Sequence, residues 1–228
     1  MSDPICAIVL SSQLSASDLG LLQRGKWLND AILSFWSSHM TSLYGGERVA
    51  FFQVGVGALC QFEEGDDLAQ TLFKLNIPNL DFFCLPVNDS RDLIHGGTGT
   101  HWTLLSWQRG VGFSHQDSKP NIGSKNEFVA RLIASRLGPL LGEPFSGNFI
   151  PIHCAIQSNS FDCGDHVLCN MERLAREHAT GCEVGGQGMP PPVEVECVRE
   201  EVLRVAKLYS LEDPYVVKLL EELSKVIK

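Results

Sequence analysis

The sequence predicts an α+β domain, and three observations carry that prediction. Apolar runs of strand length cluster between residues 82 and 117. Helix-period segments stand before and after that cluster instead of alternating with it. Hydrophobic residues make up 44% of a 228-residue chain, enough to build a core. Residues 1–228 read as a single domain. No internal repeat is visible, and the one Gly/Pro-rich stretch, Gly181–Pro192, reads as an exposed loop or hinge.

The elements follow in order. Leu28, Ile32, Phe35, Trp36, His39, Met40 and Leu43 recur at helical spacing and predict a helix over Trp27–Tyr44, capped by Asn29 or Asp30 and stopped by Gly45-Gly46. Phe51–Phe62 mixes strand-like pieces with glycines. Asp66–Leu75 predicts a short helix ended by Pro78. Phe82–Val87 is an unbroken apolar run, the pattern of a buried strand, and Asn88-Asp89-Ser90 after it is turn chemistry. Arg91–Thr100 reads as a glycine-containing loop. His101–Trp107 and Val111–Asp117 predict a hairpin closed by Gln108-Arg109-Gly110, with Trp107 opposite Val111. Ser124-Lys125-Asn126-Glu127 is a capping box opening a helix through Leu137, which ends near Gly138-Pro139. Phe149–His153 predicts a short strand and Asp162–His178 a helix. Two helices follow. The second has Asp213 as cap and Pro214 in first position, with Val216, Leu220, Leu223 and Ile227 inward.

Charge and cysteine content narrow the function. Lys and Arg total 18 against 27 Asp and Glu, a formal charge of −9, which disfavours phosphate-driven nucleic-acid binding and anionic membrane surfaces. No window has the apolar length of a membrane span. The opening MSDPICAIVLSS has no basic stretch and carries Asp3 and Pro4, unlike a secretory signal. Eight cysteines without a C-x-x-C pair read as reduced thiols, placing the protein in cytoplasm or nucleus. Cys163, His166 and Cys169 spread over about 120° of one helix, a poor tetrahedral metal set.

One constellation carries chemistry. In the expected hairpin, His101 lies opposite Asp117 on the same face, so a carboxylate can orient the imidazole and leave its other nitrogen as a base. Cys163 opens a helix, where the positive end of the dipole favours thiolate, and Gly164 leaves room for a substrate backbone. Gln157 precedes it on a loop and can donate to an oxyanion alongside the Cys163 N–H.

The order His101…Asp117…Gln157…Cys163 resembles the Ulp/sentrin-specific cysteine proteases, which act on ubiquitin-like modifiers. Trp27-Leu28-Asn29-Asp30, Gly99-Thr100-His101-Trp102, Gln116-Asp117-Ser118 and Gln157-Ser158-Asn159-Ser160-Phe161-Asp162-Cys163-Gly164 carry the resemblance through most of the chain. Asn79–Asp89 and the Gly-Gly-Thr…His-Trp-Thr-Leu-Leu run resemble the deneddylase branch. The loop Gly96–His101 is two residues longer than that family's, and Asp165 and His166 replace larger apolar residues.

The resemblance implies a papain-like, Ulp-type fold with a short central mixed sheet flanked by helices. It implies His101 as general base and acid, Asp117 as its orienter, Cys163 as nucleophile and Gln157 as oxyanion donor. Trp102 would cover the channel for a Gly-Gly tail, Trp27 would line it, and Asp30 would contact the tail. The implied partner is a ubiquitin-like modifier, foremost the neddylation modifier, with conjugates such as neddylated cullins. A monomer needing no metal or cofactor is expected. SUMO- or ubiquitin-directed proteolysis and a clan-related acetyltransferase are the rival activities, and a non-catalytic binding module is a further alternative.

Overall fold

The computed structural model describes residues 3–90, 99–120, 124–152, 154–181 and 195–227. The chain opens with a hairpin, β1 (Ile5–Val9) and β2 (Ser12–Ser15), followed by the short helix α1 (Ala16–Gly20). Then come α2 (Asp30–Tyr44), β3 (Val49–Phe51), α3 (Val54–Phe62) and α4 (Gly65–Lys74). Strands β4 (Phe82–Asn88), β5 (Trp102–Gln108) and β6 (Gly112–Gln116) precede α5 (Lys125–Leu137), α6 (Cys163–Thr180), α7 (Val198–Leu208) and α8 (Pro214–Val226).

The central sheet has the order β3-β4-β5-β6 and is mixed: β3 runs parallel to β4, and the other pairs are antiparallel. Both faces are covered. Phe82, Cys84, Trp102 and Leu104 pack with α2, α6, α7 and α8, while Phe83, Leu85, Leu105 and Trp107 pack with α3, α4 and α5. A strand buried on both faces needs no polar alternation, which explains the unbroken run in β4.

Several expectations are corrected. The helix predicted from Trp27 starts at Asp30, because Asn29 is the cap: its Oδ1 accepts from the Ile32 N–H at 3.1 Å. Leu43, expected inward, is 57% exposed on the last turn. Most of Phe51–Phe62 is α3. Of its two glycines only Gly57 is a packing site, since a Cβ there would stand 3.3 Å from the Pro86 carbonyl of β4, whereas one on Gly55 would meet nothing within 4 Å. Phe149–Ile152 form no strand: among the described residues their backbone meets β6 through the Ile150 N–H, which donates a hydrogen bond to the Phe113 carbonyl (2.7 Å). His153, residues 91–98 of the expected loop and residues 182–192 of the Gly/Pro stretch lie outside the described residues.

The hairpin register also differs. Trp107 pairs with Phe113 and Gln108 with Gly112, two residues away from the expected pairing. The loop is Arg109-Gly110-Val111, with Gly110 and Gly112 both at positive φ (74° and 114°), which fixes where the chain can turn. A two-residue slip preserves the face of every side chain, whereas a one-residue slip would have reversed it. His101 and Asp117 therefore still share a face, as flanks of β5 and β6 and not as ladder partners.

Candidate active site

His101 stands just before β5. Asp89, the residue after β4, fixes its backbone: the carboxylate accepts from the N–H of Thr100 (2.5 Å) and of His101 (3.1 Å), and from the Thr100 hydroxyl (2.6 Å). Asp117 follows β6, and its Oδ1 lies 2.7 Å from His101 Nε2 while accepting from the Lys119 N–H at 2.8 Å. With Nε2 committed to the carboxylate, Nδ1 is the nitrogen left for the thiol. Burial pulls the imidazole down, but hydrogen bonds to Asp117 and Cys163 and their charges outweigh it and hold it up at about 9. The Asp117 carboxyl is depressed: burial would raise it, and the His101 and Lys119 hydrogen bonds prevail. Neighbouring His115 is pushed down to about 4 by burial, so it stays neutral.

Cys163 is the first residue of α6 and is buried. The turn leading to it is built by Asn159, whose Oδ1 accepts from the N–H groups of Phe161 and Asp162 (3.0 Å each) and whose Nδ2 donates to Asp162 (2.6 Å). Gln157 is held at both ends of its amide. Oε1 accepts from the Ser118 hydroxyl (2.6 Å), and Nε2 donates to the Asn159 carbonyl (2.7 Å), leaving one amide hydrogen. Its backbone N–H also donates to the Ser118 carbonyl (2.8 Å). Ser118 thus ties the Asp117 side of the site to the loop that precedes Cys163.

Gly164 plays a different part from the one expected. Its open side is filled by Leu28: a Cβ there would lie 2.9 Å from Leu28 Cβ and 3.2 Å from Cγ. Gly164→Ala is therefore expected to cost about 1–3 kcal/mol in chemical denaturation, and equal or higher stability would contradict this packing.

The tail-channel candidates separate. Trp102 is buried beneath the Leu28 backbone, and its Nε1–H donates to the Leu28 carbonyl at 3.1 Å. Trp27 is 44% exposed. Asp30 opens α2 and shares with Trp102 a cleft of about 90 Å³ that is also lined by Gln61, Pro86 and Asn88, but not by Trp27. Asp89, Ser118 and Asn159 were not singled out by sequence reasoning. In the sequence Asp89 belongs to a turn, and the other two stand within motifs that give them no role of their own.

The remaining cysteines have other surroundings. Every cysteine among the described residues is a free thiol. Burial pushes Cys60 up to about 12 and also raises Cys6, Cys84, Cys154 and Cys169. Cys197 is exposed.

The same fold occurs in solved proteases. The catalytic domain of a Chaetomium thermophilum Ulp1-like SUMO protease matches with a TM-score of 0.64, at 19% identity over 94% of this chain and 86% of that one. The yeast Ulp1 protease domain in complex with the SUMO orthologue Smt3 matches with a TM-score of 0.59, at 16% identity over 100% of this chain and 91% of that one. An Ulp1-like fold in which the His101 imidazole meets both the Asp117 carboxylate and the Cys163 thiol, in a chain related to sentrin-specific proteases, defines a cysteine protease of the Ulp type. Human sentrin-specific protease 8 is 31% identical over 182 residues, 76% of this chain and 82% of that protein, and the probable sentrin-specific protease 8 of Dictyostelium discoideum is 30% identical over 77% of each. The chain belongs to the sentrin-specific protease 8 family. NEDD8-specific protease 1 of Arabidopsis thaliana is 22% identical over 74% of each. No family model matches the sequence.

Proposed function

We propose that this protein hydrolyses the amide bond after the C-terminal Gly-Gly of a ubiquitin-like modifier, with the NEDD8 type as its substrate. It acts on isopeptide conjugates, neddylated cullins among them, and on precursor peptide bonds. The observation that carries the reading is His101, bound through Nε2 to Asp117 at 2.7 Å and interacting with Cys163 at the start of α6. The name of the Arabidopsis relative, NEDD8-specific protease 1, supports the choice of modifier.

The steps follow from the chemistry. With its proton on His101, the Cys163 sulfur attacks the glycine carbonyl carbon. The oxyanion takes hydrogen bonds from the Gln157 amide and the Cys163 N–H. His101 gives its proton to the leaving lysine amine as the C–N bond breaks, which leaves a thioester. His101 then takes a proton from water as the water adds, and the tail leaves as a carboxylate while sulfur regains its proton. A reduced thiol is a requirement, which suits cytoplasm or nucleus. The exposed Trp27 and the Asp30 and Trp102 cleft are the surfaces offered to the tail.

A panel of modifiers bearing a C-terminal electrophile tests the assignment. The NEDD8-type probe is expected to form an adduct fastest. Preferential reaction of a SUMO or ubiquitin probe would change the substrate and keep the mechanism. No adduct with any probe would remove the reading altogether.

A further inference from the structure

We infer that Arg199 is a positioning residue that locks the Leu21–Lys26 loop, and the Trp27 indole after it, to the helix end carrying Cys163. The role of Trp27 in that statement rests on the protease reading above. Arg199 lies on α7, far in sequence from everything it holds. Its Nη1 donates to the carbonyls of Leu21 (3.0 Å) and Gln23 (2.8 Å), and Nη2 donates to the carbonyl of Lys26 (2.8 Å). Nε and Nη2 both donate to Asp165 Oδ2, at 3.0 and 2.7 Å. All five N–H donors of the guanidinium are thereby used. Asp162, the residue before Cys163, lies 3.6 Å from Nη2.

The two ends of this clamp matter for different reasons. Asp165 sits in the first turn of α6, two residues past Cys163, and is 1% exposed; Arg199 is 5% exposed. An ion pair so deeply desolvated yields little net stability, and what its hydrogen bonds do fix is the geometry of the groups they join. Both bonds land on Oδ2, while Oδ1 has no partner among the described residues, so a proton on Oδ1 leaves the clamp intact. At the other end, Lys26 is the residue before Trp27. The Trp27 indole makes no hydrogen bond among the described residues, so its position depends on the backbone to either side. Arg199 holds the Lys26 carbonyl. Trp102 holds the Leu28 carbonyl, and Leu28 itself rests on Gly164. Lysine cannot replace this arrangement, because one ammonium cannot reach a carboxylate and three carbonyls in a fan.

The test replaces both charges, Asp165→Met with Arg199→Met, so that no unpaired charge stays buried and unbranched side chains fill the space. Trp36, Trp102 and Trp107 are buried, so acrylamide quenching of the folded protein reports Trp27. The double variant is expected to fold, to be quenched more strongly, and to exchange the amides of residues 22–28 roughly tenfold faster or more. On a NEDD8-type fusion its KM is expected to rise roughly tenfold with kcat within about threefold, and mass-mapped alkylation of Cys163 by iodoacetamide is expected to hold. Arg199→Lys should fall between the two and decides the matter if the double variant does not fold. Wild-type quenching, exchange and KM in a folded variant would overturn the assignment, as would a loss confined to kcat. If the wild-type protein cleaves no modifier, the protease reading fails, and quenching and exchange still judge the clamp.

Discussion

Cys163→Ala leaves a folded protein that no longer cleaves. Turnover of a modifier fusion is expected to fall by about 10⁴-fold or more, the scale on which hydrolases lose a nucleophile. No neighbour can substitute. Cys154 and Cys169 are the thiols nearest in sequence, and burial raises both. Cys197 is exposed, but the imidazole that interacts with Cys163 is His101, which Asp117 holds in place. Truncation to Ala removes only a small buried sulfur, so circular dichroism should be unchanged and the variant should still bind the modifier. A probe with a C-terminal electrophile should modify Cys163 alone in the wild-type chain and nothing in the variant. Cleavage retained by Cys163→Ala would falsify the nucleophile assignment.

The order of His101, Asp117, Gln157 and Cys163 was legible because the motifs are local, and a local motif survives errors in the surrounding structure. The hairpin shows how. The expected register was displaced by two residues, yet parity kept imidazole and carboxylate on one face. Helices with a capping residue and an apolar stripe, such as α5 and α8, were equally legible. Contacts between distant segments were not. Gly164 read as open space because nothing in its own motif reveals Leu28. Arg199 gave no signal, since an arginine on an amphipathic helix reads as a solvated face and its partners sit near residues 21–26 and 165. The β1–β2 hairpin was missed for a similar reason. It is short, and its stabilising bonds come from the far end of the chain, through Ile8 N–H to the Tyr209 carbonyl and Leu211 N–H to the Cys6 carbonyl.

Asp117→Asn is expected to cut turnover by about 10²–10⁴-fold and to move the alkaline limb of the pH profile. The sign follows from His101. Its imidazolium is held up at about 9, so wild-type activity should fall only as pH rises through that value, where the proton destined for the leaving amine is lost. Without the Asp117 charge, burial is opposed mainly by Cys163, and the limb should move down toward the ordinary histidine value of about 6.5. Folding should respond in step. A group whose pKa is raised on folding contributes stability that is whole below its unfolded value and disappears as pH rises through its folded value. For His101 that window runs from about 6.5 to about 9 and is worth about 3 kcal/mol. Nearby His115 is pushed down to about 4 and His166 is also lowered, so neither gains a proton within the window. Urea denaturation at the two ends should therefore show wild type losing more stability toward alkaline pH than Asp117→Asn. An alkaline limb that stays near 9 in the variant would mean that Asp117 does not hold the imidazolium, and the carboxylate would then serve only to orient the ring.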